Sequence, residues 1–128
     1  MKKRILIVLA VLLLSGCGQT TSPEKEAVYV NITAEEAKAV MDREEGYVIL
    51  DTRTQEEFDD GHIPGAILIP HDEILESAEE VLTDKDQLIL VYCRSGRRSK
   101  LASEDLISLG YTNIMEFGGI IDWPYEVE

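Results

Sequence analysis

Leu88-Ile89-Leu90-Val91-Tyr92-Cys93-Arg94-Ser95-Gly96-Arg97-Arg98-Ser99 reads as an apolar run that stops at a cysteine and gives way to a cationic loop. Leu88 to Tyr92 is the most strongly β-like stretch of the chain, and it is continuous rather than alternating, as in a strand buried on both faces. Downstream, Ser99 to Leu109 places Ala102, Leu106 and Leu109 on one helical face, and Gly110 supplies the C-terminal stop. Cys93 is therefore expected at the carboxyl end of a buried strand, six residues before a helix. Open α/β sheets place their ligands at such strand ends.

The chemistry of that loop follows from its backbone and its charges. Successive N–H groups can converge on an anion, and the dipole of the following helix adds partial positive charge. Both effects favour a thiolate at Cys93, and Arg94, Arg97 and Arg98 act in the same direction. A reactive nucleophile is the sharper reading. An inert buried cysteine beside a solvated basic loop is the plainer one.

Outward from the loop, strands and helices alternate. Val28 to Ile32 reads as a short strand, and Thr33 with Glu36 forms a capping box that opens a helix to Arg43, closed by Gly46. Tyr47 to Leu50 is a compact apolar run ending at Asp51, and Thr54 with Glu57 repeats the capping signature before a short helix that stops at Gly61. Ala66 to Ile69 is another strand, a helix runs from about Asp72 to Leu82, and Asp84-Lys85-Asp86 is a turn. Asn113 to Phe117 gives a last strand before Gly118-Gly119 and a short helix from Ile120 to Tyr125. This order predicts an α/β class, three-layered, with a five-stranded and mainly parallel sheet flanked by helices.

Twelve Lys plus Arg against 25 Asp plus Glu give a net charge of −13 in 128 residues, which makes nucleic acid a poor partner. Lys2, Lys3 and Arg4 precede an apolar run from Ile5 to Leu14, the layout of a secretory leader. That run is too short for a transmembrane helix, which needs about 20 residues. Leu14-Ser15-Gly16-Cys17 follows it and resembles the lipobox of bacterial lipoproteins. The resemblance implies a signal peptide over 1–16 and a Cys17 that carries acyl chains such as palmitate. Two or more chains would hold the protein stably at the extracytoplasmic face of a membrane. The alternatives are an ordinary secretory leader with Cys17 incidental, or a disulfide between Cys17 and Cys93. Residues 17–27 read as a polar tether and 28–128 as one domain, large enough to stabilise its own core and to fold as a monomer.

Ile49-Leu50-Asp51-Thr52-Arg53, Glu57-Phe58, Gly61-His62-Ile63-Pro64-Gly65-Ala66 and Ile69-Pro70, then Val91-Tyr92-Cys93 through Gly96-Arg97-Arg98-Ser99, Gly110-Tyr111 and Phe117-Gly118-Gly119 with Trp123, resemble the rhodanese pattern from about Tyr29 to Trp123. The resemblance implies a sulfurtransferase of the thiosulfate type in which Cys93 holds sulfane sulfur as a persulfide. It implies that N–H groups from Arg94 to Ser99, Ser95 and Gly96 included, cradle that persulfide. Arg94 and Arg97 would meet a small anionic donor, Arg98 would brace the loop, and a thiol, sulfite or cyanide would accept the sulfur. No cofactor or metal is needed. Phosphatase and arsenate-reducing relatives carry Arg one position later, where this chain has Ser99. A binding module that carries persulfide without turnover is the remaining alternative. Asp51 and Arg53 are expected near the catalytic edge, with Arg53 pairing to Glu57. His62 is expected to be a turn residue, His71 belongs to no motif, and Trp123 is expected to pack.

Overall fold

The computed structural model describes residues 28–128. The leader, Cys17 and the tether lie outside the described residues. Five parallel strands form one sheet in the order β1-β5-β4-β2-β3: β1 Val30–Asn31, β2 Val48–Asp51, β3 Ile67–Leu68, β4 Ile89–Cys93 and β5 Ile114–Gly119. Helices α1 (Ala34–Arg43), α2 (Gln55–Asp60), α3 (Ile74–Val81) and α4 (Arg97–Ser108) complete the α/β domain.

Alternation along the strands divides the core. Ile49, Leu90, Tyr92 and Phe117 face Ala37 and Val40 of α1. Leu50, Ile89, Val91 and Ile114 face Ile74 and Ala78 of α3 and Ala102 and Leu106 of α4. Every β4 residue is buried, as its unbroken apolar run requires. Cys93 continues the Ile89–Val91 series and so faces α4. β2 leads on to β3 on one side of the sheet and β4 to β5 on the other, so the carboxyl ends of β2 and β4 flank a topological switch point.

Both capping boxes form, at Thr33 with Glu36 and at Thr54 with Glu57. Several boundaries differ from the sequence reading. β1 has two residues, because Val28 and Val30 lie exposed at the sheet edge, where no second neighbour extends the ladder. α1 is closed at Glu44, whose N–H bonds Val40 O, and Gly46 follows in the turn with φ 72°. His71–Glu73 is a 3₁₀ turn that feeds α3, and the terminal helix is a single 3₁₀ turn, Ile120–Asp122, ahead of Pro124. Leu109 is only partly buried. The difference with most consequence is at α4, which opens at Arg97 rather than Ser99. Gly96 takes a left-handed conformation, φ 107°, and turns the chain directly into the helix. Arg97 and Arg98 consequently belong to the first helical turn.

Candidate active site

Cys93 is 1% exposed. Its Sγ accepts the Gly96 N–H at 3.0 Å and meets the Ser99 hydroxyl at 3.4 Å, so the loop folds over the sulfur it carries. The first backbone bond that spans the start of α4 runs from Lys100 N–H to Gly96 O at 3.3 Å. It leaves the N–H groups of Arg97, Arg98 and Ser99 available to an anion at the helix start. Of the expected N–H cradle, the Gly96 donor contacts sulfur directly. Ser95, like Arg94, is on the exposed rim.

The three loop arginines have different surroundings. Arg94 and Arg97 are exposed and, among the described residues, form no ion pair. Arg98 donates through Nη1 and Nη2 to the two oxygens of Glu57, at 2.7 and 2.9 Å. This bidentate bond, above all, pulls the Glu57 carboxyl down to about 2 against the opposing effect of burial, with the Arg98 charge and, less strongly, Thr54 adding to it. Through these bonds Arg98 ties α4 to α2.

The expected Arg53–Glu57 pair does not form. Asp51 at the end of β2 is fully buried, and the Arg53 guanidinium is its counter-charge, with Nε at 3.0 Å and Nη2 at 2.7 Å. Leaving the buried Asp51 without a cation would cost more than leaving the partly exposed Glu57 without one. Asp51 also accepts the Arg53 N–H at 2.9 Å and the Tyr92 hydroxyl at 2.7 Å, and the Tyr92 oxygen accepts the Ile63 N–H at 3.1 Å. Burial, then the bond to Asp51, hold the Tyr92 phenol protonated far above its ordinary range. Thr52 Oγ1 donates to Tyr92 O at 2.9 Å, and Arg53 Nη2 donates to Gly61 O at 2.7 Å. Asp51 and Arg53 therefore act on the residue before Cys93 and not on its sulfur.

Two features of the site were not singled out from sequence. Glu116 of β5 is fully buried, and its Oε1 accepts the Ser99 hydroxyl at 2.7 Å and the Gly118 N–H at 2.8 Å, while Oε2 accepts from Asn31 Nδ2. A charge inside the run Ile114-Met115-Glu116-Phe117 was the available signal. Between Val91↔Glu116 and Cys93↔Gly119 the β4–β5 register shifts by a bulge, which brings Gly119 under the loop. A Cβ at Gly119 would lie 1.9 Å from Arg94 O, so the loop backbone occupies the space a side chain would need.

The remaining candidates lie elsewhere. His62 stacks on Phe58 at 3.8 Å and bonds Phe58 O, in agreement with a turn role, and His71 begins the 3₁₀ turn. Trp123 packs between Phe117 and Tyr125 and borders a cavity of about 510 Å³ lined by Met41, Tyr47 and Ile63. Among the described residues, no group of three His, Cys, Asp or Glu could hold a metal ion.

Residues 33–124 match the rhodanese-like domain family. PspE of Escherichia coli (strain K12), named a thiosulfate sulfurtransferase, is 38% identical over 57% of this chain and 70% of its own length. YrkF of Bacillus subtilis (strain 168), named as a candidate sulfur carrier, is 33% identical over 87% of this chain, which spans 60% of that protein. Among solved structures, the rhodanese-like domain of the Anabaena Alr3790 protein superposes with a TM-score of 0.72 at 27% identity, covering 79% of this chain and 80% of that one. An Escherichia coli rhodanese with anions superposes at 0.60 with 34% identity, over 64% and 96%. The chain belongs to the rhodanese-like domain family, whose members include sulfurtransferases.

Proposed function

We propose that the protein is a membrane-anchored, extracytoplasmic sulfurtransferase that moves sulfane sulfur from thiosulfate or a similar donor to a thiophilic acceptor through a persulfide on Cys93. The observation that carries this reading is the closed loop around Sγ, with the Gly96 N–H at 3.0 Å and, at its rim, two exposed arginines without an ion pair among the described residues. Arg94 and Arg97 would hold the anionic donor. The Cys93 thiolate attacks its outer sulfur, a new S–S bond forms, and the leaving group departs with the old bonding pair as sulfite. An acceptor thiolate then attacks the outer persulfide sulfur and expels Cys93 as thiolate, which completes two-step covalent catalysis.

Anchoring rests on Leu14-Ser15-Gly16-Cys17 and on the leader before it. Lipidated Cys17 would tether the domain through residues 18–27, with Cys93 left as a free thiol in an oxidising compartment. Partition of the native protein into detergent, lost in Cys17→Ala, is the expected result.

The test of sulfur transfer is the mass of full-length protein in detergent after thiosulfate and then after a small thiol. A reversible gain of one sulfur atom, absent in Cys93→Ser, is expected. No gain with any sulfane donor sinks the reading. The likeness to YrkF favours a second reading, a carrier that keeps its persulfide for a protein acceptor. Persulfide that survives small thiols but passes to a protein in a stoichiometric complex distinguishes it.

A further inference from the structure

Two carboxylates are fully buried among the described residues, and they are matched differently. Asp51 has Arg53. Glu116 has no cation at ion-pair distance and accepts only from neutral donors: Ser99 Oγ, Gly118 N–H and Asn31 Nδ2. A buried charge costs several kcal/mol of desolvation unless it is paired. A neutral Gln could accept the same Ser99 and Gly118 bonds through its amide oxygen without that cost.

Ser99 connects this carboxylate to the sulfur. A hydroxyl has one proton to donate, and Ser99 Oγ lies 2.7 Å from Glu116 Oε1, 3.0 Å from Gly96 O, 3.4 Å from Gly118 O and 3.4 Å from Cys93 Sγ. The shortest of these bonds reaches the charged acceptor, which is also the strongest. The hydroxyl proton is thereby committed to Glu116, and an oxygen lone pair is left for the Cys93 S–H. With Cys93 1% exposed, that thiol proton has little direct access to water.

Resting on the sulfur-transfer reading, we propose that Glu116 takes the thiol proton of Cys93 through the Ser99 hydroxyl, so that the nucleophile is generated inside the closed loop. The S–H bond breaks and its electron pair stays on sulfur. Ser99 Oγ gains that proton as its own passes to Glu116 Oε1, and nothing is oxidised or reduced. The bonds then run in reverse, from Glu116 O–H to Ser99 and from Ser99 O–H to the thiolate. The site holds one negative charge before and after, so no second buried anion forms beside the first. When the acceptor later expels Cys93, the proton returns along the same path.

The neighbouring groups leave this path intact. Arg98 of α4 is bonded to Glu57, with its charge also reaching Cys93 from outside the hydrogen-bonded path, and Asn31 of β1 is neutral. The Tyr29 phenol is kept protonated by burial, with Glu104 of α4 and Glu116 itself adding to the effect. On β4 the ionisable neighbour is Cys93. Ser99 touches the reacting sulfur. Glu116 acts through it, as a positioning residue that also receives the proton.

The experiment measures the iodoacetamide alkylation rate of the Cys93 peptide in full-length protein from pH 5 to 9, beside persulfide formation from thiosulfate. In the native protein the rate should change less than about threefold between pH 6 and 8. In Glu116→Gln and in Ser99→Ala it should fall by nearly two orders of magnitude from pH 8 to 6, as for an ordinary thiol with a pKa of about 8.5. The double variant should be no slower than either single, because both remove one path. An unchanged profile, a uniform slowing at every pH, or faster alkylation in Glu116→Gln at neutral pH overturns the proposal. If Glu116→Gln fails to fold, Ser99→Ala decides alone. Absent persulfide with the expected alkylation profiles would remove the sulfur-transfer reading and leave the proton path standing.

Discussion

Gly118 and Gly119 are adjacent, yet alanine should damage the two positions for different reasons. At Gly119 a Cβ would fall 1.9 Å from Arg94 O, 2.3 Å from Arg94 C and 2.6 Å from Ser95 Cα, all of them backbone atoms. Non-bonded atoms of that kind do not approach much below about 3.0 Å, so the start of the loop after Cys93 must retreat by at least about 1 Å. Overpacking of this size costs about 1–3 kcal/mol, and a 1 Å misplacement of reacting groups costs about a hundredfold in rate. At Gly118 no atom lies within 4 Å of an added Cβ, but φ is +84°. The penalty there is conformational, about 1–2 kcal/mol, with little movement of the loop. Gly119→Ala and Gly118→Ala should therefore be similarly destabilised in urea melts, whereas persulfide formation from thiosulfate slows about a hundredfold in the first and less than about fivefold in the second. Equal rates in the two variants, or a native rate in Gly119→Ala, would refute the claim that loop position depends on this close approach.

Glu57→Gln removes the bidentate brace on Arg98, and a charged pair that is about a quarter exposed contributes about 1–2 kcal/mol after allowance for solvent screening. Because the folded-state carboxyl titrates at about 2 rather than 4.5, this stability is present above pH 4.5 and is lost as pH falls toward 2. Urea melts should show the native-to-variant gap close over that window; a gap that persists unchanged at pH 2 would assign it to something other than the ion pair. Asp51→Asn leaves Arg53 buried without its counter-charge and should cost about 3–5 kcal/mol, with part recovered in Asp51→Asn/Arg53→Met. A loss below about 1 kcal/mol would show that the buried pair does not hold the end of β2.

Local signals in the sequence were reliable where one short-range interaction decides the outcome. Thr33 with Glu36 and Thr54 with Glu57 mark helix starts because each box satisfies its own orphan N–H groups. The apolar run before Cys93 reads as a two-face-buried strand because no polar residue interrupts it. Misreadings occurred where distant elements compete. Arg53 and Glu57 have suitable spacing to pair, but each finds a stronger partner, Asp51 at the strand end and Arg98 from another helix. The start of α4 depends on a left-handed Gly96 packed over Gly118, a meeting of the loop with the end of β5 far away in sequence. Glu116 was legible only as an anomaly, a charge in an apolar strand, and its partners Ser99 and Asn31 come from other elements.

The distribution of charge separates structural from chemical groups in a domain rich in carboxylates. Arg53 is spent on Asp51 and Arg98 on Glu57, so both cations nearest the core serve to hold β2, α2 and α4 in register behind the loop. Arg94 and Arg97 are solvated and unpaired among the described residues, and they stand at the rim of the loop that encloses sulfur. An anion approaching a surface of net negative charge meets local attraction chiefly at these two side chains, within a Debye length of about 8–10 Å. Below them Sγ accepts the neutral Gly96 N–H and donates to the neutral Ser99 hydroxyl, while Arg98, whose charge also reaches Cys93, is bonded to Glu57. On the sulfur-transfer reading proposed above, a full positive charge against Sγ would stabilise the thiolate more than the persulfide it is to form, and would slow its attack. On the sulfur-transfer reading, one neutral N–H donor and one neutral hydroxyl at the sulfur, with exposed cations at the rim, would let the donor be held by its departing group while the nucleophile remains strong.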